Sequence, residues 1–170
     1  MTLERSGAFR GYSKSELIDG TIYVVNAQYS RHMKVKTRLL LRLAEACEAL
    51  PGSYEAWTEG SVEFDTYSLP EPDVLVTRRT PTGKFVVAEQ LALVVEVADT
   101  TAAFDLGKKA KAYARGGLAE YWVVDLRRNR VVRHWSPAEG GYREHDTVDL
   151  GQDLESRTIT GLKIETAGLI

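Results

Sequence analysis

The sequence is poor in several things at once, and each shortage narrows what the chain can be. It holds one cysteine, Cys47, among 170 residues. An internal disulfide framework and a Cys-rich zinc site are therefore excluded, which fits a reducing, cytoplasmic setting. No apolar run approaches the roughly 18 to 20 residues that a membrane helix needs, and the first ten residues, MTLERSGAFR, mix acids and bases without an apolar signal core. Neither secretion nor membrane insertion is expected. No Gly-x-Gly-x-x-Gly or Gly-x-x-x-x-Gly-Lys loop follows a strand, and no Gly-x-Ser-x-Gly elbow is present, so nucleotide-cofactor and serine-hydrolase chemistry lack their motifs. Excess charge of one sign is also missing: 22 Lys+Arg stand against 24 Asp+Glu, a net charge of −2. By itself, that balance argues against an enzyme acting on DNA; with the acidic weight in the C-terminal stretch it predicts weak, salt-sensitive, non-specific DNA binding instead of none.

The charge is unevenly spread. From Glu139 to Ile170 seven acids face three bases, a balance of −4, so residues 1–138 carry +2. Basic clusters occur at Arg31, Lys34, Lys36, Arg38 and Arg42, at Arg78, Arg79 and Lys84, at Lys108, Lys109, Lys111 and Arg115, and at Arg127, Arg128, Arg130 and Arg133. Most such runs are solvated faces.

With no repeat, low-complexity segment or linker, 1–170 reads as one domain with 44% hydrophobic residues, enough for a sizeable core. Asp19-Gly20 between apolar runs predicts a β-hairpin over Glu16 to Val25. Ser30 is a candidate cap for a helix to about Leu50, with Met33, Leu40, Ala44 and Cys47 on its apolar side and Pro51-Gly52 as its stop. Short strands are expected at Tyr54–Thr58, Ser61–Asp65 and Asp73–Thr77. Leu91–Ala98, apolar on both faces, is expected in the middle of the sheet. Asp105 is placed to cap a helix running to Arg115, ended by Gly116-Gly117. Glu120–Asp125 forms the next strand of a right-handed βαβ unit. Strands at Arg130–Trp135 and Tyr142–Leu150 complete an edge meander. The fold class is α/β (α+β), a central mixed sheet flanked by helices.

Glu96 is the only charge in LALVVEVA. Alternation puts it on one face with Ala92, Val94 and Ala98, where an ionised carboxylate needs a partner. Asp73, opening an apolar strand after Glu71-Pro72, is a candidate neighbour. Two close carboxylates repel unless a cation or proton lies between them, and a hard ion such as Mg²⁺ takes one or two carboxylates plus water and phosphate oxygens. On the following helix, steps of about 100° put Leu106, Lys109, Ala110, Tyr113 and Gly117 on one side and Lys108, Lys111 and Arg115 on the other. Lys109 thus points toward the sheet, where an ammonium can hold or deprotonate a water and stabilise charge on a phosphate.

The ordered string Glu71-Pro72-Asp73, Val94-Val95-Glu96-Val97, Asp105-Leu106-Gly107 with Lys109 and Tyr113, Gly117, and Glu120-Tyr121-Trp122-Val123-Val124-Asp125 resembles the putative restriction endonuclease family within the PD-(D/E)XK nuclease superfamily. Glu16-Leu17-Ile18-Asp19-Gly20 and Arg31-His32 are similar to its N-terminal part, and the likeness runs from about Glu16 to Trp135. The resemblance implies a restriction-endonuclease-like fold and a DNA endonuclease dependent on Mg²⁺ or Mn²⁺. Asp73 and Glu96, with the Val97 carbonyl, would be metal ligands, and Lys109 the active-site lysine. Ala98 stands where the superfamily pattern has lysine, and Ala98-Asp99-Thr100-Thr101 replaces the usual Ser-Pro-Ser. A homodimer would answer the need to cut two strands. The alternative is a non-cleaving nucleic-acid-binding or protein-interaction module on the same fold.

Plainer readings stand beside these. Asp73 and Glu96 can be satisfied by Lys109 and backbone N–H groups with no metal, and Lys109 alone can be a snorkelling lysine. Asp105 can be only a cap, Glu16 can join the acidic cluster or only the hairpin, and His32 can touch substrate phosphate or be structural. His134 and His145 are assigned to outer strands, Tyr113, Tyr121 and Trp122 to the core, and Cys47 to a buried apolar position.

Overall fold

The computed structural model describes residues 14–25 and 29–170; the N-terminal decapeptide lies outside the described residues. Asp19 and Gly20 both take positive φ, 51° and 72°, as a type I′ turn requires, and join β1 (Lys14–Ile18) to β2 (Thr21–Val25) as an antiparallel hairpin. Helix α1 spans Ser30–Glu48. The central sheet contains β3 (Glu55–Thr58), β5 (Val74–Thr77), β7 (Leu91–Ala98), β8 (Glu120–Asp125), β9 (Arg130–Ala138) and β10 (Gly141–Asp149). Its order is β10-β9-β8-β7-β5-β3. Only β7 and β8 run parallel; the other neighbours are antiparallel, which makes the sheet mixed. The expected centre and edge meander are both present.

Two cores cover the sheet. On one face, Val35, Leu39, Leu43 and Cys47 of α1 pack against Val74, Val76, Val95, Val97, Trp122 and Val124. On the other, Leu75, Val94, Ala98, Tyr121 and Val123 meet Ala102, Ala110, Tyr113 and Leu118, together with Val62 of β4 (Val62–Glu63) and Val86 of β6 (Val86–Val87). β4 and β6 form a small parallel pair of their own, so the strand expected at Ser61–Asp65 does not join the main sheet.

Several expectations shift in detail. The helix starts at Ser30 itself, Tyr29 occupies the cap position, and Tyr29 makes no capping hydrogen bond. The buried stripe of α1 is Val35, Lys36, Leu39, Leu43 and Cys47, whereas Met33 is exposed and Leu40 only flanks the core. Four-residue steps back from Cys47 follow the true stripe through Leu43, Leu39 and Val35; of the expected residues Cys47 lies on it, whereas Leu40 and Ala44 lie one position round the helix and Met33 two. The alternation in β7 also slips. Thr77 pairs Leu91 while Val76 pairs Leu93, leaving Ala92 as an extra residue in an irregularity that moves it to the α1 core and puts Leu91 with Val94 on the other face. Glu96 keeps Val94 and Ala98 as face-mates, because it lies beyond the slip.

The helix after β7, here α2, begins earlier than expected. It comprises Ala102–Phe104, a π-helical turn Asp105–Lys109 and Ala110–Arg115, together 102–115. Asp105 is therefore inside the helix rather than its cap. Beyond β10, a hairpin of β11 (Asp153–Glu155) and β12 (Lys163–Glu165), not foreseen in the sequence, packs Leu154, Leu162 and Ile164 into the α1 core. No helix among the described residues is long and apolar enough to cross a membrane.

Candidate active site

Val74 pairs Val95 in the antiparallel β5–β7 ladder. Asp73 and Glu96 are the residues just beyond this pair on the two chains, Asp73 in the bend that enters β5 and Glu96 within β7. Both carboxylates are buried, 4% and 3% exposed. The Val97 N–H donates to Asp73 Oδ2 at 2.9 Å, so the strand bearing Glu96 holds the Asp73 carboxylate beside it. Thr58 Oγ1 donates to the Asp73 carbonyl at 2.9 Å and fixes the entry to β5 from the neighbouring strand.

Lys109 comes from α2, and the predicted helix faces hold: Lys109, Ala110 and Tyr113 are buried, Leu106 packs on the same core, and Lys108, Lys111 and Arg115 point away from it. Gly117 is the exception, being exposed past the helix end. Lys109 Nζ lies 2.8 Å from Glu96 Oε1 and 2.9 Å from Glu16 Oε2, and the Tyr113 hydroxyl donates to Glu96 Oε1 at 2.9 Å. Glu16 also accepts from the Glu71 N–H at 2.8 Å. A single carboxylate on the hairpin thus ties the lysine to the segment that enters β5, so Glu16 joins the acidic cluster. His32 reaches the same centre from the first turn of α1, its Nε2 3.1 Å from Asp73 Oδ2.

Asp105 completes the cluster. It is 4% exposed, and Thr101 Oγ1 donates to its Oδ2 at 2.6 Å. Burial above all lifts its carboxyl above the ordinary value; Lys109 and the Thr101 hydroxyl oppose this, and Asp73 and Glu16 add to it. For Lys109 burial acts downward, but Glu96, Glu16 and Asp105 outweigh it and hold the group well above its ordinary range, as an ammonium. Burial, then the Glu96 charge, likewise keeps the Tyr113 hydroxyl protonated.

Besides the Val97 carbonyl, the side chains singled out in the sequence, Glu16, His32, Asp73, Glu96, Asp105, Lys109 and Tyr113, are brought to one place by these contacts. Thr101 and Thr58 were not anticipated, and no short motif marks them. The two plainest contacts are those of the metal-free alternative: Lys109 on Glu96, and a backbone N–H on Asp73. Among the described residues, no group of three or more His, Cys, Asp or Glu side chains has the arrangement of a metal site. The donor chemistry nevertheless suits a hard cation. Four buried carboxylates, Glu16, Asp73, Glu96 and Asp105, gather here, and the charges of Asp73 and Glu16 both reach Asp105.

The other candidates fall where expected. His134 and His145 sit opposite each other on β9 and β10, their rings 6.0 Å apart. Trp122, Tyr121 and Cys47 are core residues.

The six-stranded mixed sheet, covered by helices and preceded by an antiparallel hairpin, with the acid-and-lysine cluster beside β7, defines an α+β chain. Residues 4–167 match the Uma2 family, described as "putative restriction endonuclease", and the chain belongs to that family. Its fold is similar to that of a crystallised protein from Anabaena variabilis described as a "putative nuclease belonging to DUF820", with a TM-score of 0.64 and 16% identity over 81% of this chain and 78% of that one. No curated protein matches the chain.

Proposed function

We infer that the protein is a metal-dependent nuclease that hydrolyses phosphodiester bonds in DNA. The observation that supports this most directly is the buried run of contacts in which Lys109 of α2 holds Glu96 of β7 and the N–H of the next residue, Val97, holds Asp73 at the entry to β5, within a family described as "putative restriction endonuclease". Asp73, Glu96 and the Val97 carbonyl are the groups that would hold Mg²⁺ or Mn²⁺, which when bound supplies Lewis acidity to the phosphate and lowers the pKa of a water. Lys109, held as an ammonium by Glu16 and Glu96, acts here as a hydrogen-bond donor and a positive charge. That narrows the role open to it: it orients water and stabilises charge on the phosphate rather than taking a proton. Tyr113 fixes Glu96, and His32 with the Val97 N–H fixes Asp73. Cutting both strands with one centre per chain would call for a second copy.

Purified protein is expected to nick plasmid DNA in Mn²⁺ and to lose this on Glu96→Ala; cleavage undiminished by the change would sink the reading. A second reading, a binding module without chemistry, draws on the internal satisfaction of Glu96 by Lys109 and Tyr113. It predicts DNA binding with no cleavage under any divalent ion.

A further inference from the structure

The basic clusters of the sequence separate in the structure. Arg38 and Arg42 spend their guanidinium groups on the carbonyls of Gly168, Glu165 and Ala167, and Arg133 on Asp146, so these hold the C-terminal segment. Another set gathers elsewhere. Asp125 pairs Ala98 at the end of the parallel β7–β8 ladder, and the Leu126 N–H donates to the Ala98 carbonyl at 2.9 Å. The turn 126–129 therefore lies against Asp99-Thr100-Thr101, the loop from the Glu96 strand to the Lys109 helix. Arg127 Nε is 3.6 Å from Asp99 Oδ1, and its side chain is 63% exposed. Arg128 bonds Asp125 at 3.1 Å and is 62% exposed. Arg31 Nη2 donates to the Leu126 carbonyl at 3.0 Å. The next residue along α1 is His32, which touches Asp73.

The first turn of α1 thus connects the carboxylate centre to this turn. Segments 31–34, 98–101 and 125–130 hold five bases, Arg31, Lys34, Arg127, Arg128 and Arg130, against two acids, Asp99 and Asp125. Such a local excess stands out in a chain of net charge −2.

We propose that Arg127 and Arg128, with Arg31 and Lys34 beside them, form a phosphate track that grips the nucleic-acid backbone next to the phosphodiester presented to the carboxylates. This rests on the nuclease reading for the site but not for the binding. Arg127 is held by Asp99 at its Nε and Arg128 by Asp125 at one terminal nitrogen, Nη1, and both side chains are more than half exposed, which leaves the remaining N–H donors for phosphate oxygens. Contacts of this kind position a strand without reading its sequence.

The test is binding of a fluorescein-labelled 20-mer DNA duplex in EDTA, followed by anisotropy across a KCl series, with a 20-mer RNA duplex as a parallel arm. Removing one phosphate-binding cation should reduce the slope of log K against log salt by about 0.9 on duplex DNA. Arg127→Gln and Arg128→Gln should each do so, Arg127→Lys should restore the slope, and Arg143→Gln on β10 should leave it unchanged. The weakening should be equal for unrelated sequences. A wild-type slope in the double variant, or no binding by the wild type, overturns the proposal. Arg127→Gln removes only an exposed ion pair, so its result stands even if Arg128→Gln unfolds. Normal slopes without cleavage in Mn²⁺ would fell the nuclease reading alone; cleavage with an unaltered double-variant slope would fell the track alone. The arm with the tighter binding names the nucleic acid.

Discussion

Asp105 shows how a single side chain can be misplaced by sequence and still matter. Its position ahead of the helical run to Arg115 suggested a cap, yet it lies inside the helix with its carboxyl pushed upward, mainly by burial. The folded protein therefore holds this proton more tightly than the unfolded chain does. The associated stability is fully present below the ordinary carboxylate pKa of about 3.9 and is lost as pH rises through the folded value. Asp105→Asn should abolish that loss: urea melts from pH 4 upward should show wild-type stability falling relative to the variant, and parallel curves would refute the assignment. Lys109 has the opposite visibility. Its face was readable from helical spacing because Lys108, Lys111 and Arg115 fall together on the other side. Its partner Glu16, 93 residues away, was only one of two even readings. No periodicity reports a contact of that span, nor that of His32 with Asp73.

At the scale of elements, strands were legible where two faces are buried and less so where a helix has only one. β7 and β8 occur at their predicted bounds because uninterrupted apolar runs have little freedom of reading. The stripe of α1 was right at Cys47 but one position off at Leu40 and Ala44, and Lys36, buried against Glu59 at 2.6 Å, belongs to it while Met33 is exposed. The slip at Ala92 was invisible for a related reason: one extra residue leaves composition unchanged. Packing beneath α2 bears directly on the site. A Cβ on Gly116 would lie 2.1 Å from Phe64 Cδ1, and the Phe64 ring stands edge-on to Tyr113 with centroids 5.5 Å apart. Gly116→Ala should push Phe64 into Tyr113, cost about 1–3 kcal/mol in urea melts and loosen the hydroxyl that holds Glu96. A change below about 0.5 kcal/mol would mean that Phe64 has another resting place.

Across the whole molecule, the acidic C-terminal region has a different meaning from the one its charge suggested. Leu154, Ile159, Leu162, Ile164 and Leu169 are each at most 3% exposed and belong to the α1 core. Glu120, fully buried at the start of β8, accepts from Ser156 Oγ at 2.5 Å and from the Arg157 and Thr158 N–H groups at 2.9 Å each. Five such apolar side chains contribute roughly 1.5–3 kcal/mol apiece, comparable to the whole net stability of about 5–15 kcal/mol of an ordinary domain. Truncation after Leu150 is therefore expected to leave the chain unfolded at 25 °C, read by loss of a cooperative thermal transition in circular dichroism. The sequence hid this because the short strands β11 and β12 carry only one buried residue in three. The bond from Glu16 to Lys109 has a counterpart in time. A ribosome delivers the hairpin carboxylate long before the helix that completes it, and the C-terminal strands that cover the opposite face come later still. Contacts of such separation form slowly. A nascent chain would thus carry these acids scattered until the helix bearing Lys109 and the strands behind the sheet had left the ribosome, so the order of synthesis itself would set when the cluster can assemble.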